Sequence, residues 1–178
     1  FAFNKPYLVI EGIIDEKDSI SNDEIQIIKY KIHSSDESIK VVYTGSLDKR
    51  YGICNIVEAF KLVNCKNMRL EVYGHGDYEE ELRLISQKYI NIQYKGFVPN
   101  DEILKIQREA DFLINARTLT DSYVKYSFPS KTLEYMLSGT PLITTMLPGI
   151  PKEYKDYVIV LENNDPLNIK NKLESLIS

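Results

Sequence analysis

The sequence predicts an α/β fold, a parallel, doubly wound sheet of about six strands with helices on both faces. Two observations predict it. Short strand-like runs alternate six times with helical stretches from residue 39 to the end of the chain. Several of these runs end at glycine, in loops that would share one rim of such a sheet. Ligands of these sheets bind outside the carboxyl ends of the strands, so functional residues are expected on that rim.

Length and composition suit one globular domain. The chain has 178 residues, of which 43% are hydrophobic and 27% charged. Its formal net charge of −4 argues against a nucleic-acid binder with a broad basic surface. No apolar run reaches membrane-spanning length, and no secretory signal pattern opens the chain. Cys54 and Cys65 form neither a disulfide framework nor a metal cluster, which favours a reducing compartment.

The chain divides at residue 38. Residues 1–38 contain a short apolar run and one weak helical pattern, and we expect them to form an interdomain linker and packing segment. Because the chain begins at Phe1 rather than Met, we expect it to be a piece of a longer protein. Residues 39–178 form the α/β domain, whose strands are predicted at 39–43, 68–73, 90–94, 112–115, 142–145 and 157–161.

Helical spacing of apolar residues places helices between these strands. Residues 53–63 put Ile53, Ile56, Val57, Phe60 and Val63 on one face. Further helices are predicted at 77–89, with Leu82, Ile85 and Tyr89 inward, and at 101–110, capped by Asn100. Asp165 and Pro166 open the last helix, with Leu167, Leu173, Leu176 and Ile177 as its inner face.

A helix that starts near Ser130 is the strongest local signal. Pro129 fits the first turn of a helix, Ser130 can cap its free N–H groups, and Gly139 stands where a helix end favours a left-handed residue. Free N–H groups beside Ser130 and Lys131 predict a phosphate site. Glu134 follows Ser130 by four residues, so it lies on the same face, one turn deeper. An ordinary capped helix with a surface glutamate is the alternative.

Other rim residues have plain alternatives. Lys49 and Arg50 follow the first strand and could neutralise a diphosphate, or they could be solvated. Gly74 and Gly76 resemble the start of a dinucleotide fingerprint, but Glu79 replaces its third glycine, which argues against a nicotinamide-dependent dehydrogenase. His75 between them is interpreted as a solvated turn residue. No spacing of His, Cys or carboxylates indicates a metal site or a paired-carboxylate hydrolase.

Four segments, taken together and in order, resemble the group 1 (family 4) glycosyltransferases. The resemblance is to the Rossmann-like C-terminal half of their two-domain GT-B fold. The Phe128 to Lys131 sequence is similar to that of enzymes that build capsular and other surface polysaccharides. The matching segments are 42–60, with its Thr-Gly-Ser turn, 70–82, with its Gly-His-Gly turn, 92–99, with its Gly-Phe-Val loop, and 128–154, with the signature helix.

The resemblance implies a donor site for a nucleotide sugar. Val98 and its neighbours would hold the nucleobase, and Glu134 would accept hydrogen bonds from the ribose. The diphosphate would lie against Ser130, Lys131 and the first-strand loop. That loop contributes Gly45 and Ser46, with charge added by Lys49, Arg50 and Arg117. Two positions depart from the family pattern. Tyr126 replaces the glutamate that usually precedes the position of Glu134 by eight residues, and Ser46 and Tyr51 replace the usual basic pair of the phosphate loop.

The implied activity is that of a hexosyltransferase-type enzyme that moves a sugar from UDP or GDP to an acceptor hydroxyl with retention of configuration. It needs no metal or other cofactor. Its acceptor, lipid-linked or polysaccharide, and a catalytic His would belong to a preceding N-terminal domain, so we expect no catalytic residue and no transfer in this chain alone. We expect the enzyme to be cytoplasmic, either free or attached peripherally to the inner face of the membrane. A non-catalytic module that binds a nucleotide or a partner is the alternative.

Overall fold

A computed structural model describes residues 38–119 and 130–177. Almost all of the segment interpreted as a linker, residues 1–38, lies outside the described residues, and so do Tyr126 and Pro129. The predictions made for those positions therefore stay predictions. Within the described ranges, no helix is long and apolar enough to cross a membrane.

Six parallel strands form one sheet in the order β3-β2-β1-β4-β5-β6, which confirms the predicted doubly wound fold. The strand order reverses at β1, whose two neighbours are β2 and β4. In open α/β sheets that reversal creates a crevice for ligands at the carboxyl ends of the strands. The strands are β1 Ile39–Thr44, β2 Met68–Tyr73, β3 Ile92–Gly96, β4 Phe112–Asn115, β5 Leu142–Thr145 and β6 Ile159–Leu161.

Helices connect the strands and cover both faces of the sheet. Side chains alternate along β1, where Val41 and Tyr43 join the larger core cluster and Val42 joins the other one. The larger cluster includes Phe60, Leu82 and Leu173, while the second includes Tyr135 and its neighbours. The helices are α1 Ile53–Leu62, α2 Glu79–Lys88, α3 Asn100–Arg108, α4 Ser130–Leu137 and α5 Pro166–Ser175, with short 3₁₀ helices at Lys49–Tyr51 and Lys152–Tyr157.

Two terminal predictions are confirmed in detail. Gly139, just beyond α4, has a φ of 74°, which is the left-handed conformation expected at a helix end. The Asp165 carboxylate accepts a hydrogen bond of 2.9 Å from the Leu167 N–H and caps α5.

Several details of the sequence prediction are wrong. Leu167 is 59% exposed, and Ile169 and Leu173 form the inner face of α5. Positions 169 and 173 are four residues apart and therefore share a face of α5, whereas position 167 points away from that face. Asn100 is the first residue of α3 rather than its cap. The bounds of β3 and β6 also shift, because Ile90 is exposed before β3 and Tyr157 belongs to a 3₁₀ helix before β6.

Candidate functional site

A cleft of about 350 Å³ lies at the carboxyl ends of β1, β2 and β3, the rim on which the sequence places its functional residues. We call it the rim cleft. Three strand-end loops form its walls, and Lys131 reaches it from the first turn of α4. Its lining residues are Thr44, Gly45, Ser46, Tyr73, Gly74, His75, Gly76, Phe97, Val98, Asn100, Ile103 and Lys131.

Close backbone packing between two of these loops explains their glycines. Gly74 has a φ of 138°, and a Cβ atom there would come within 1.8 Å of the Gly45 carbonyl oxygen. A Cβ atom on Gly76 would lie 2.6 Å from the Leu47 carbonyl carbon. The Leu47 N–H donates a 2.9 Å hydrogen bond to the His75 carbonyl, so the loops are joined backbone to backbone. The two glycines are therefore required by this contact, with no dinucleotide needed to account for them.

Lys131 and Glu134 meet on the first turns of α4. The Lys131 ammonium lies 2.9 Å from each carboxylate oxygen of Glu134. Its Cε carbon is 3.6 Å from the position that a Cβ atom on Gly45 would occupy, so the side chain extends from the helix to the β1 loop. Ser130, exposed, precedes Lys131 at the start of the helix. Lys131 thus lines the cleft, and Glu134, which is not part of the lining, is paired with it.

Gln107, a residue not predicted from the sequence, donates a hydrogen bond to Glu134 from the core of the domain. This α3 side chain is fully buried, and its Nε2 atom donates to Glu134 Oε1 at 2.5 Å and to Thr44 Oγ1 at 3.0 Å. Because a carboxylate can only accept, the amide nitrogen has to face Glu134. One sequence signal was available: Gln107 follows Ile103 by four residues and so occupies an inward position of the helix.

Tyr135 joins the same helix to the end of β1. Its buried hydroxyl accepts a hydrogen bond of 2.7 Å from the Thr44 N–H and donates one of 2.9 Å to the Thr44 carbonyl. Burial raises the pKa of Tyr135, so the hydroxyl keeps its proton at any physiological pH. The strand end that leads into Gly45 is therefore fixed to α4.

The other predicted cations lie outside the lining of the rim cleft. The Lys49 ammonium is 2.9 Å from a Glu81 carboxylate oxygen, and the Arg50 guanidinium is 2.5 Å from Asp48. The hydrogen bond from Arg50 lowers the pKa of Asp48 to about 2. The Arg117 guanidinium stacks 4.3 Å from the centre of the Tyr51 ring. The structure thus brings Gly45, Ser46, Val98 and Lys131 together around one space, with Ser130 and Glu134 beside them.

Two aromatic rings stand at the cleft. His75 and Phe97, both exposed, make an edge-to-face contact with ring centres 5.4 Å apart. In the part of the chain that the structure describes, no group of three His, Cys, Asp or Glu side chains could hold a metal ion. The polar side chains that line the rim cleft include those of Ser46, Asn100 and Lys131.

Comparison with known families adds to this geometry. The family described as "Glycosyl transferases group 1" matches residues 24–178. The chain belongs to that family. The matched range contains the whole sheet and every predicted donor-site residue, and the resemblance read from the sequence is confirmed.

Curated relatives in this glycosyltransferase family are named for polysaccharide synthesis. The protein WcaL of Salmonella typhimurium, whose name refers to colanic acid biosynthesis, is 24% identical over 150 residues, which are 79% of this chain and 37% of that protein. The amylovoran biosynthesis glycosyltransferase AmsK of Erwinia amylovora is 25% identical over 154 residues, 82% of this chain and 38% of the relative. This chain therefore spans under two fifths of the length of both relatives.

Solved structures confirm the fold as that of a GT-B C-terminal domain. The C-terminal domain of LpcC, a group 1 glycosyl transferase family protein of Francisella tularensis, superposes with a TM-score of 0.67 at 19% identity and covers 93% of this chain and 88% of its own. Anabaena HepE in complex with UDP superposes with a TM-score of 0.65 at 14% identity, covering 90% of this chain and 44% of its own.

Proposed function

We propose that this glycosyltransferase domain binds the nucleotide-sugar donor of a retaining, hexosyltransferase-type enzyme of surface polysaccharide synthesis. The observation that carries the proposal is that Lys131 lines the rim cleft beside the Gly45 loop and is paired there with Glu134. A cation suits a diphosphate and a carboxylate suits two vicinal ribose hydroxyls. One ligand that contains both groups is a nucleoside diphosphate.

In the proposed complex, the three parts of the donor fall on three parts of the rim. The diphosphate lies between the Gly45–Ser46 loop and the start of α4, where Ser130, Lys131 and free N–H groups offer donors. The ribose lies over Glu134. The nucleobase lies beside Val98, which lines the cleft at the end of β3. Lys49, Arg50 and Arg117 remain proposed donor contacts, each of which would first have to leave its present neighbour.

Glycosyl transfer develops negative charge on the departing diphosphate. Lys131 and the amino end of α4 point positive charge at that position, which lowers the energy of the transition state without a metal ion. Hence we propose that the domain needs no cofactor, and that the sugar passes to an acceptor hydroxyl. Since the chain spans under two fifths of the length of its curated relatives, we assign the acceptor site and the catalytic residue to a further domain.

The relatives support the polysaccharide context and the donor class. WcaL and AmsK are named for the synthesis of colanic acid and amylovoran. HepE structures hold UDP or UDP-glucose. We therefore propose a UDP- or GDP-linked donor and a lipid-linked or polysaccharide acceptor, and action in the cytoplasm.

Titration calorimetry with UDP and GDP, each with EDTA or with Mg²⁺, tests the proposal. We expect one of the two to bind equally well in both conditions. Binding only with Mg²⁺ would contradict the metal-free phosphate site, and binding of neither nucleotide would favour the alternative of a module that serves a protein partner. For substitutions in the rim cleft, Lys155→Met is the control and should bind as the unsubstituted chain does. Lys155 is exposed in the second 3₁₀ helix, far along the chain from the rim cleft.

A further inference from the structure

Glu134 is held by two donors of different exposure. Lys131 contributes a partly exposed side chain, 27% accessible, at the surface of the cleft. Gln107 contributes a side chain with no exposed area, anchored in the core. A diphosphate in the rim cleft competes with Glu134 for Lys131, because both are anions within reach of the same ammonium group. It cannot compete for Gln107, which does not line the cleft.

The Gln107 side chain is held through its amide nitrogen, while its own carbonyl oxygen Oε1 is buried without a hydrogen-bond partner among the described residues. Its backbone carbonyl accepts a 2.7 Å hydrogen bond from the Thr140 hydroxyl. Its amide nitrogen bridges Thr44 and Glu134, and the Thr44 hydroxyl in turn donates to the Tyr135 hydroxyl at 3.2 Å. The two N–H groups of the Gln107 amide thus have separate acceptors, Thr44 Oγ1 and Glu134 Oε1. The amide nitrogen is therefore already committed to both its acceptors before any ligand arrives.

We propose that Gln107 is the positioning residue of the donor site. Its N–H group keeps Glu134 Oε1 in place when Lys131 turns to the diphosphate, and the remaining lone pairs of the carboxylate then receive the ribose hydroxyls. This inference rests on the proposed function, in which Glu134 binds the ribose. Gln107, from α3, would thus support donor binding without contacting either the donor or the acceptor.

Without the amide, the Glu134 carboxylate lacks its buried anchor. Once Lys131 is engaged by phosphate, the side chain is free to turn toward water, and the ribose hydroxyls meet several rotamers rather than one. The affinity for the ribose hydroxyls falls, whereas the affinity for the diphosphate does not. The measurable signature is the ratio of affinities for UDP and for 2′,3′-dideoxyuridine diphosphate, in which contributions from base and phosphate cancel.

The experiment measures that ratio by titration calorimetry for the chain and two variants. Gln107→Met keeps the length and volume of the side chain and removes the N–H groups. Thr140→Val is the control, because it removes a neighbouring buried hydrogen bond of the same helix but leaves the amide in contact with Glu134. We expect Gln107→Met to reduce the preference for UDP about tenfold, the scale of a lost hydrogen bond to a charged group, and Thr140→Val to leave it unchanged.

Each result is decisive. An unchanged preference in Gln107→Met, or an equal loss in both variants, would overturn the positioning role while the proposed function stands. If the unsubstituted chain binds neither UDP nor GDP, the proposed function fails first. Should Gln107→Met not fold, NMR on the unsubstituted chain decides: we expect one downfield Gln107 side-chain proton that keeps its shift at UDP saturation. Loss of that shift on binding would show that the anchor opens, contrary to the proposal.

Discussion

On the β4 side of β1, the Tyr135 hydroxyl takes the place of a strand partner for Thr44, which pairs with Tyr73 of β2 on its other side. The register between β1 and β4 pairs Val41 with Phe112 and Val42 with Leu113. Two residues further along β1, the Tyr135 hydroxyl bonds both the N–H and the carbonyl of Thr44, at 2.7 Å and 2.9 Å. One side chain of α4 thus satisfies two buried backbone groups at the entrance to the Gly45 loop.

We expect Tyr135→Phe to lower the free energy of unfolding by about 1–3 kcal/mol, the cost of leaving buried polar groups unpaired. Urea unfolding followed by circular dichroism measures it. Tyr157→Phe is the matched control, because the Tyr157 side chain is 73% exposed and exposed substitutions typically change stability by under about 0.5 kcal/mol. Equal stability of the two variants would mean that water or a backbone shift replaces the Tyr135 hydroxyl at no cost.

Glu134→Ala should weaken binding of UDP by about 1.5–3 kcal/mol, because a hydrogen bond to a charged group is lost. The loss should be absent for the 2′,3′-dideoxy nucleotide. Calorimetry with both nucleotides measures the difference, and Glu80→Ala on the exposed face of α2 is the control. Similar losses with both nucleotides would assign Glu134 a role in holding Lys131 rather than the ribose.

The elements of this fold could be predicted because their causes are local. Helix α1 follows from Ile53, Ile56 and Phe60 at helical spacing, and all three are buried. The close approach of Lys131 and Glu134 also follows from local spacing, since residues three apart on a helix are neighbours. Local patterns were sufficient for these contacts, but they failed at the inner face of α5, where Leu167 is exposed.

Contacts between distant segments could not be predicted in this way. Gln107 meets Thr44 across 63 positions of the chain, and Tyr135 meets Thr44 across 91. Lys49 pairs with Glu81, 32 residues away, which spacing could not reveal. The sequence presented Lys49 as a cation next to a phosphate loop, whereas the fold places a carboxylate beside it. Partners in the folded state, rather than residue type, decide which charges face the rim cleft.

Lys131 and Lys49 should therefore differ in their contribution to nucleotide binding. Lys131 lines the rim cleft, while Lys49 is engaged by Glu81 outside that lining. We expect Lys131→Met to weaken UDP binding more than Lys49→Met, and to have little effect on uridine, which lacks the diphosphate. Calorimetry with UDP and uridine on both variants tests this. A larger loss in Lys49→Met would show that the β1 loop rearranges on binding and presents Lys49 to the diphosphate.

The last prediction is that the 178-residue chain binds its donor without transferring the sugar. Transfer requires an acceptor hydroxyl, a group that manages its proton, and exclusion of water from the donor. His75, the histidine among the described residues, is exposed and in contact with the exposed Phe97, a poor setting for excluding water. In many enzymes, closure of a loop or a second domain over the substrate supplies that exclusion. The assay follows release of radiolabelled sugar from UDP-glucose, the donor seen with HepE, to water and to a panel of oligosaccharides. Transfer to an oligosaccharide above that of Lys131→Met would show that the acceptor site and the proton-handling group lie within this chain.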